Sequence, residues 1–118
     1  MKYSIVYIET RPEIQERLSV SLIVVDGNET QVRTSQKKLK AAEVLLTDKE
    51  YRFISRVLNE MRVNVPTVKT IDYLTRYSNN LITISPLQTI DIENTPQNKD
   101  WLYRNYVYNK NKRTVLSL

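Results

Sequence analysis

The chain contains no cysteine and no histidine. Without cysteine there are no disulfides, no thiolate nucleophile and no zinc–thiolate site. Without histidine there is no imidazole general base, no catalytic triad of the usual kind and no imidazole metal ligand. Gly27 is the single glycine. Phosphate-cradling loops need several, because the backbone must come close to the phosphate oxygens, so Walker and Rossmann motifs are absent. No run approaches the roughly 18 apolar residues of a membrane span, and the first residues show no charged segment followed by an apolar signal core. These absences lead to the expectation of a cytoplasmic protein without membrane association, metal or cofactor. Asn28-Glu29-Thr30 matches a glycosylation acceptor, but without a secretion signal it reads as a turn.

A length of 118 residues predicts a single domain over 1–118, large enough to hold a core without a disulfide or metal staple. The net charge is +5 and is modestly asymmetric: residues 1–60 carry ten basic and nine acidic side chains, residues 61–118 eight and four. Such a balance is a weak pointer to anionic partners.

The clearest element is the stretch Thr47 to Val63. Tyr51, Ile54, Leu58 and Met61 recur at spacings of three, four and three, with Val57 beside them, which is the period of a helix with one apolar face. Thr47 followed by Glu50 reads as a capping box, in which hydroxyl and carboxylate each take an otherwise unpaired backbone N–H. Val65-Pro66 ends the helix, because a residue before proline avoids helical angles.

The first quarter reads as a three-stranded antiparallel meander. Lys2 to Glu9 is apolar on both faces and so predicts an inner strand. A break at Thr10–Glu13 leads to a strand over Leu18–Val25. The turn Asp26-Gly27-Asn28 then leads to a more polar edge strand, Glu29–Ser35. Gln36 to Leu46 is ambiguous between a short helix and an irregular segment. Thr67 to Tyr77 predicts a second helix with Val68, Ile71, Leu74 and Tyr77 in its stripe. Leu81–Ser85 is a short strand closed by Pro86, and Leu87–Glu93 is extended. Thr95 and Pro96 open a third helix, as cap and first residue, with Trp101, Leu102, Tyr106 and Val107 expected to face inward. The remainder, 109–118, is a basic then apolar tail, either flexible or able to add a strand to a sheet edge. The expected fold is α+β: an antiparallel sheet of four to five strands with two to three helices packed mainly on one face.

Two basic clusters are candidates for nucleic-acid contact. The first is Arg33, Lys37, Lys38 and Lys40. The second is Lys99, Arg104, Lys110, Lys112 and Arg113, interleaved with Trp101, Tyr103, Tyr106 and Tyr108. Cations among aromatics can hold phosphates while the rings stack on bases, although a solvated helix face produces the same pattern. Asn79 and Asn80, before LITISP, could present amides to a ligand or simply end a helix. Tyr103 and Tyr108 are further candidates for partner contact, since eight tyrosines is a high count and tyrosine is enriched at interfaces. Glu9, Glu13 and Glu16, and Asp91 with Glu93, are the only grouped carboxylates weighed for acid–base or metal work. Nothing in their setting forces pKa values apart, so no catalytic residue is assigned.

The two ends of the chain carry a resemblance. YSIVYIETRPEIQERLSVSLIVVDGN resembles the opening of the bacterial domain-of-unknown-function family 3037: an aromatic strand, a proline-containing break, then an apolar strand ending near Asp-Gly. SNNLITISPLQTIDIENTPQNKDWLYRNYV resembles that family's closing block, with an asparagine before a short strand ending in Ser-Pro and an aromatic-rich helix after it. The chain departs from the pattern at Ser19 and Ser21, where the family typically carries asparagine and glycine. The resemblance implies no activity. Through members that accompany HipA-like kinases, it implies an accessory role.

The leading expectation is therefore a non-enzymatic protein-interaction or accessory module whose partner is another protein or a second copy of itself. The alternative is a nucleic-acid-binding accessory protein that uses the basic C-terminal third.

Overall fold

A computed structural model describes residues 1–11, 16–76 and 81–107. Its centre is β1 (Lys2–Arg11), paired along one edge with β2 (Glu16–Asp26), which in turn pairs with β3 (Glu29–Thr34). Along the other edge of β1 lie two short strands, β4 (Ile82–Ile84) against Val6–Ile8 and β5 (Gln88–Thr89) against Lys2–Tyr3. All the pairings are antiparallel. The meander and the inner position of β1 are as the sequence predicts. The Asp26–Glu29 hairpin turns on Gly27, whose φ of 61° is cheap only for glycine.

Two irregularities shape the sheet. Val6 pairs with Ser21 but Tyr7 pairs with Ser19, so Val20 is an extra residue in β2, a bulge. The carbonyl of Val20 accepts from Ser35 N–H at 2.8 Å, immediately after β3 ends. Ser35 Oγ then caps the next helix by accepting from Lys38 N–H. The bulge thus marks the point where the chain leaves the sheet edge for its face. The second irregularity is Ser85-Pro86, between β4 and β5. Ser85 Oγ accepts from Ile5 N–H at 2.8 Å, and Ser4 Oγ donates to the Ser85 carbonyl. Side-chain oxygens here serve β1 where a proline-interrupted strand cannot continue the ladder.

Helices cover both faces. On one lie α1 (Gln36–Ala42), a 3₁₀ turn (Glu43–Leu45), α2 (Asp48–Val63) and α3 (Val68–Arg76). Their Leu39, Ala42, Ile54, Leu58, Met61 and Ile71 pack with Val6, Ile8, Ile23 and Val25 of the sheet. On the other face α4 (Pro96–Tyr106) is alone, and Leu102, Tyr103 and Val107 pack on Tyr3, Ile5, Leu22 and Val24. Strand alternation explains the division: on β1 Tyr3 and Ile5 point one way, Val6 and Ile8 the other. The fold is α+β, with a five-stranded antiparallel sheet and four α-helices among the described residues.

The caps match the sequence pattern. Thr47 Oγ1 accepts from Glu50 N–H at 3.1 Å, and Glu50 Oε1 accepts from Thr47 N–H at 2.9 Å. Thr67 and Thr95 cap α3 and α4 in the same manner. Ile54 is 0% exposed and Leu58 and Met61 are buried, which confirms the facing of α2. In α4 one expectation is corrected. Trp101 is 52% exposed, and the neighbouring Leu102 and Tyr103 take the inward arc. Tyr106 leans inward only at its edge, its ring stacked on Tyr3 with centroids 5.3 Å apart. Val68 opens α3 exposed rather than buried. Leu74 and Tyr77, expected in the stripe of α3, lie outside the described side chains.

Candidate functional site

Beside its buried stripe, α2 carries a second, polar one. Tyr51, Ser55, Asn59 and Arg62 follow each other at spacings of four, four and three, so they share one flank of the helix. This flank faces the corner where β3 passes into α1. Between them lies a depression of about 590 Å³, with Thr34, Gln36 and Leu39 opposite the α2 flank, Leu58 at its base and Arg56 also in its lining.

Some of the polar groups here are engaged within the fold, as Thr34 Oγ1 is with Ser21 Oγ at 2.8 Å, and others are not. Arg62 donates to Asn59 Oδ1, an amide rather than a carboxylate. Arg56 has no hydrogen-bond or ion-pair partner among the described residues, and Ser55 Oγ is buried without a partner. No carboxylate is among the described lining residues. Sequence reasoning did not single out this flank. The signal was there, in a 3.6-residue repeat of polar residues beside the apolar one. What it faced was not.

A second surface lies at the far end of α2. Val63 is 66% exposed, and Val65 and Val68, across Pro66, are exposed as well. Val65, Pro66 and Val68 meet the β2–β3 hairpin around a depression of about 630 Å³. Contiguous exposed apolar side chains of this kind mark interaction surfaces more often than isolated ones do.

The residues singled out from the sequence fall in several places. Lys37 and Lys40 are exposed on α1, and Lys40 is paired with Glu43 at 2.9 Å. Hydrogen bonding to Glu43 holds the Lys40 ammonium above its ordinary pKa. Lys38 donates to Ser19 Oγ at 3.0 Å. On α4, Arg104 pairs with Asp100 at 2.7 Å, Arg33 reaches the other oxygen of Asp100 at 3.0 Å, and Lys99 donates to Gln31. The Arg33 hydrogen bond, helped by Arg104, holds the Asp100 carboxyl below the usual range. Tyr103 is 7% exposed, and the Arg33 guanidinium stacks 3.8 Å over its ring. This withdraws Tyr103 as a contact residue, because its ring is spent on the core and on Arg33. Asn79, Asn80, Tyr108, Lys110, Lys112 and Arg113 lie outside the described residues. Arg33 of the first basic cluster sits with Arg104 of the second, both on Asp100 of α4.

Of the grouped carboxylates, Glu9 and Glu16 are hydrogen-bonded within the fold. Glu9 accepts from Thr83 Oγ1 at 2.6 Å, Glu16 from Thr10 Oγ1 at 3.1 Å, and Glu13 lies outside the described residues. Among the described residues no group of three or more acidic side chains is placed to hold a metal ion. No helix among them is long and apolar enough to cross a membrane. Compared with known protein families, curated proteins and solved structures, the chain matches none.

Proposed function

We propose that the protein is a non-enzymatic interaction module, acting in the cytoplasm, that docks another protein at the corner formed by Val63, Val65 and Val68. The observation that carries this reading is the exposure of these three valines at the end of α2, Val65 and Val68 beside the β2–β3 hairpin. Apart from Val44 and Leu45 in the 3₁₀ turn, the other large aliphatic side chains whose burial is described are at least partly covered. Leaving three branched ones in water within six residues of chain costs solubility unless a partner covers them. The terminal likeness to family 3037, with its implied accessory role, is a proposal of the same kind and points the same way.

The nucleic-acid alternative has less support. Arg33, Lys99 and Arg104 are each already hydrogen-bonded within the fold, and of the aromatics expected among the cations Tyr103 is buried while Trp101 and Tyr106 are exposed.

The test is affinity capture from the native host, with and without nuclease, using wild type and a Val65→Asp/Val68→Asp variant. The reading expects a stoichiometric protein that survives nuclease and is lost with the variant. Material lost on nuclease treatment, or retained by the variant, refutes it. Concentration-dependent dimerisation abolished by the variant would reassign the corner to a second copy of the chain.

A further inference from the structure

The depression between α2 and the β3–α1 corner is the most one-sided piece of chemistry on the described surface. Unlike Arg33, Arg104 and Lys40, Arg56 and Arg62 have no acidic partner among the described residues, and they share a cavity lined without a carboxylate. We infer that this depression binds a small organic phosphate monoester, its phosphate held by Arg56 and Arg62 and its organic part resting on Tyr51, Leu39 and Leu58.

The charge and geometry select this class. Guanidinium groups stay ionised at any physiological pH, and their planar forks match the oxygens of phosphate. A phosphate monoester carries close to two negative charges at neutral pH and three terminal oxygens. Two arginines balance that charge. A carboxylate, with a single charge and two oxygens, leaves one guanidinium uncompensated. The remaining donors suit an oxygen-rich guest: the Tyr51 hydroxyl and the Gln36 and Asn59 amides line the same space, while the Thr34 hydroxyl is engaged with Ser21 at 2.8 Å. Ser55 adds a hydroxyl just beneath the surface with no partner of its own, and an unpaired buried hydroxyl is unfavourable until an acceptor reaches it. The volume of about 590 Å³ lies within the roughly 300–1,000 Å³ of small-molecule sites. Leu39 and Leu58 give it an apolar base of the kind such sites use to hold a carbon skeleton. A nucleic-acid strand fits less well, because it presents singly charged phosphodiesters in a row and calls for a continuing track of cations. The site is separate from the valine corner, so neither proposal depends on the other.

The experiment titrates phenyl phosphate into isotopically labelled protein and follows backbone amide shifts. Saturable shifts centred on Gln36, Asn59 and Arg62 are expected, with inorganic phosphate and benzoate both weaker. Arg56→Gln and Arg62→Gln should each weaken binding by about tenfold or more, the loss of one charge-assisted hydrogen bond. Lys37→Gln, a nearby cation outside the lining, should leave binding unchanged. Ser55→Ala should raise the melting temperature slightly while weakening binding, a pairing that a purely structural serine would not give. Should either arginine variant melt early, Arg56→Lys and Arg62→Lys replace it: they keep the charge, lose the fork and should bind at an intermediate level. No saturable shift at millimolar phenyl phosphate overturns the inference. So does equal weakening by Lys37→Gln, benzoate binding as tightly as phenyl phosphate, or tighter binding of a single-stranded oligonucleotide.

Discussion

The two faces of the sheet are held by different physics. On the three-helix face the buried cluster is aliphatic throughout, from Val6 and Ile23 to Ile54, Met61 and Ile71. On the other, one helix of 11 residues covers a smaller cluster containing Tyr3 and Tyr103. Around that cluster run directional contacts: Tyr3 to Gln88 at 2.9 Å, Tyr3 stacked on Tyr106, Arg33 on Tyr103, and Arg33 and Arg104 on Asp100. A short helix has little apolar area to bury and is marginal alone, so aromatic rings with polar tips and a shared carboxylate supplement it. The contrast teaches where salt and pH can act on this fold. They should act more strongly on the α4 face than on the three-helix core, where ionic contacts such as Lys40–Glu43 lie at the exposed periphery.

The largest effect belongs to the aliphatic face. Ile54→Asp puts a charge at a site with 0% exposure and should cost about 4 kcal/mol or more, enough to unfold the chain at ordinary temperature. Arg52→Glu, on the outer arc of the same helix, should change stability by less than about 0.5 kcal/mol. Equal effects in thermal melts would mean that the facing of α2 is misassigned.

Next is Leu102→Ala, which removes the fully buried anchor of α4 and should cost about 2–4 kcal/mol. If the faces are independently held, hydrogen exchange should speed up in α4 much more than in α2. Uniform loss of protection would dissolve the distinction between them.

A smaller, alkaline effect sharpens it. The hydrogen bond with Tyr106, burial and neighbouring phenols push the Tyr3 hydroxyl up to about 12 from its ordinary 10.0. A raised pKa means stability that is whole below pH 10.0 and lost as pH rises through about 12. The decline should reach on the order of 1–2 kcal/mol at the top of that window. Denaturant melts of wild type should show this decline, and Tyr3→Phe should lack it. Identical profiles would remove Tyr3 as the alkaline weak point of the α4 face.

The smallest effect is at Asp100. Its carboxyl is held below the ordinary range by Arg33 and Arg104, so its contribution is present above that range and fades as pH falls through the lowered value. The group is exposed, and exposed pairs contribute little. Asp100→Asn should flatten a shallow acid-side slope in stability and erase its salt dependence. A steep slope that survives the substitution would assign acid sensitivity to another carboxylate.

Much of this architecture was readable from local pattern. The capping box at Thr47 and Glu50, the stripe Ile54–Leu58–Met61, the Asp26-Gly27-Asn28 turn and the Thr95-Pro96 helix start each depend on residues within a few positions of one another. Apolar residues on both faces of Lys2–Glu9 announced an inner strand, and an inner strand with two apolar faces requires cover on both. That requirement was available in the sequence, yet nothing in it said which helix would cross over. The Trp101 assignment failed for a related reason. In a helix as short as α4, several adjacent arcs hold aromatic residues, and the arc that turns inward is set by the Tyr3, Leu22 and Val24 surface beneath it.

The candidate sites were less readable still. The flank Tyr51–Ser55–Asn59–Arg62 repeats at helical spacing, but polar residues on helix flanks are usually solvated. Only the approach of Thr34, Gln36 and Leu39 turns this one into a cavity. Arg33 lies next to the lysines of α1 in sequence and binds Asp100 on α4 instead, 67 residues away.

Secondary structure, caps, turns and the missing chemistries of cysteine, histidine and glycine follow from short-range composition and spacing, because each is governed by interactions within a turn or two of chain. The distribution of helices between the two faces, the bulge at Val20 and the cavity that Thr34, Gln36 and Leu39 close against the α2 flank follow from long-range packing. These features require segments distant in sequence to meet, and which segments meet is settled by the burial of the whole sheet rather than by any one stretch of it.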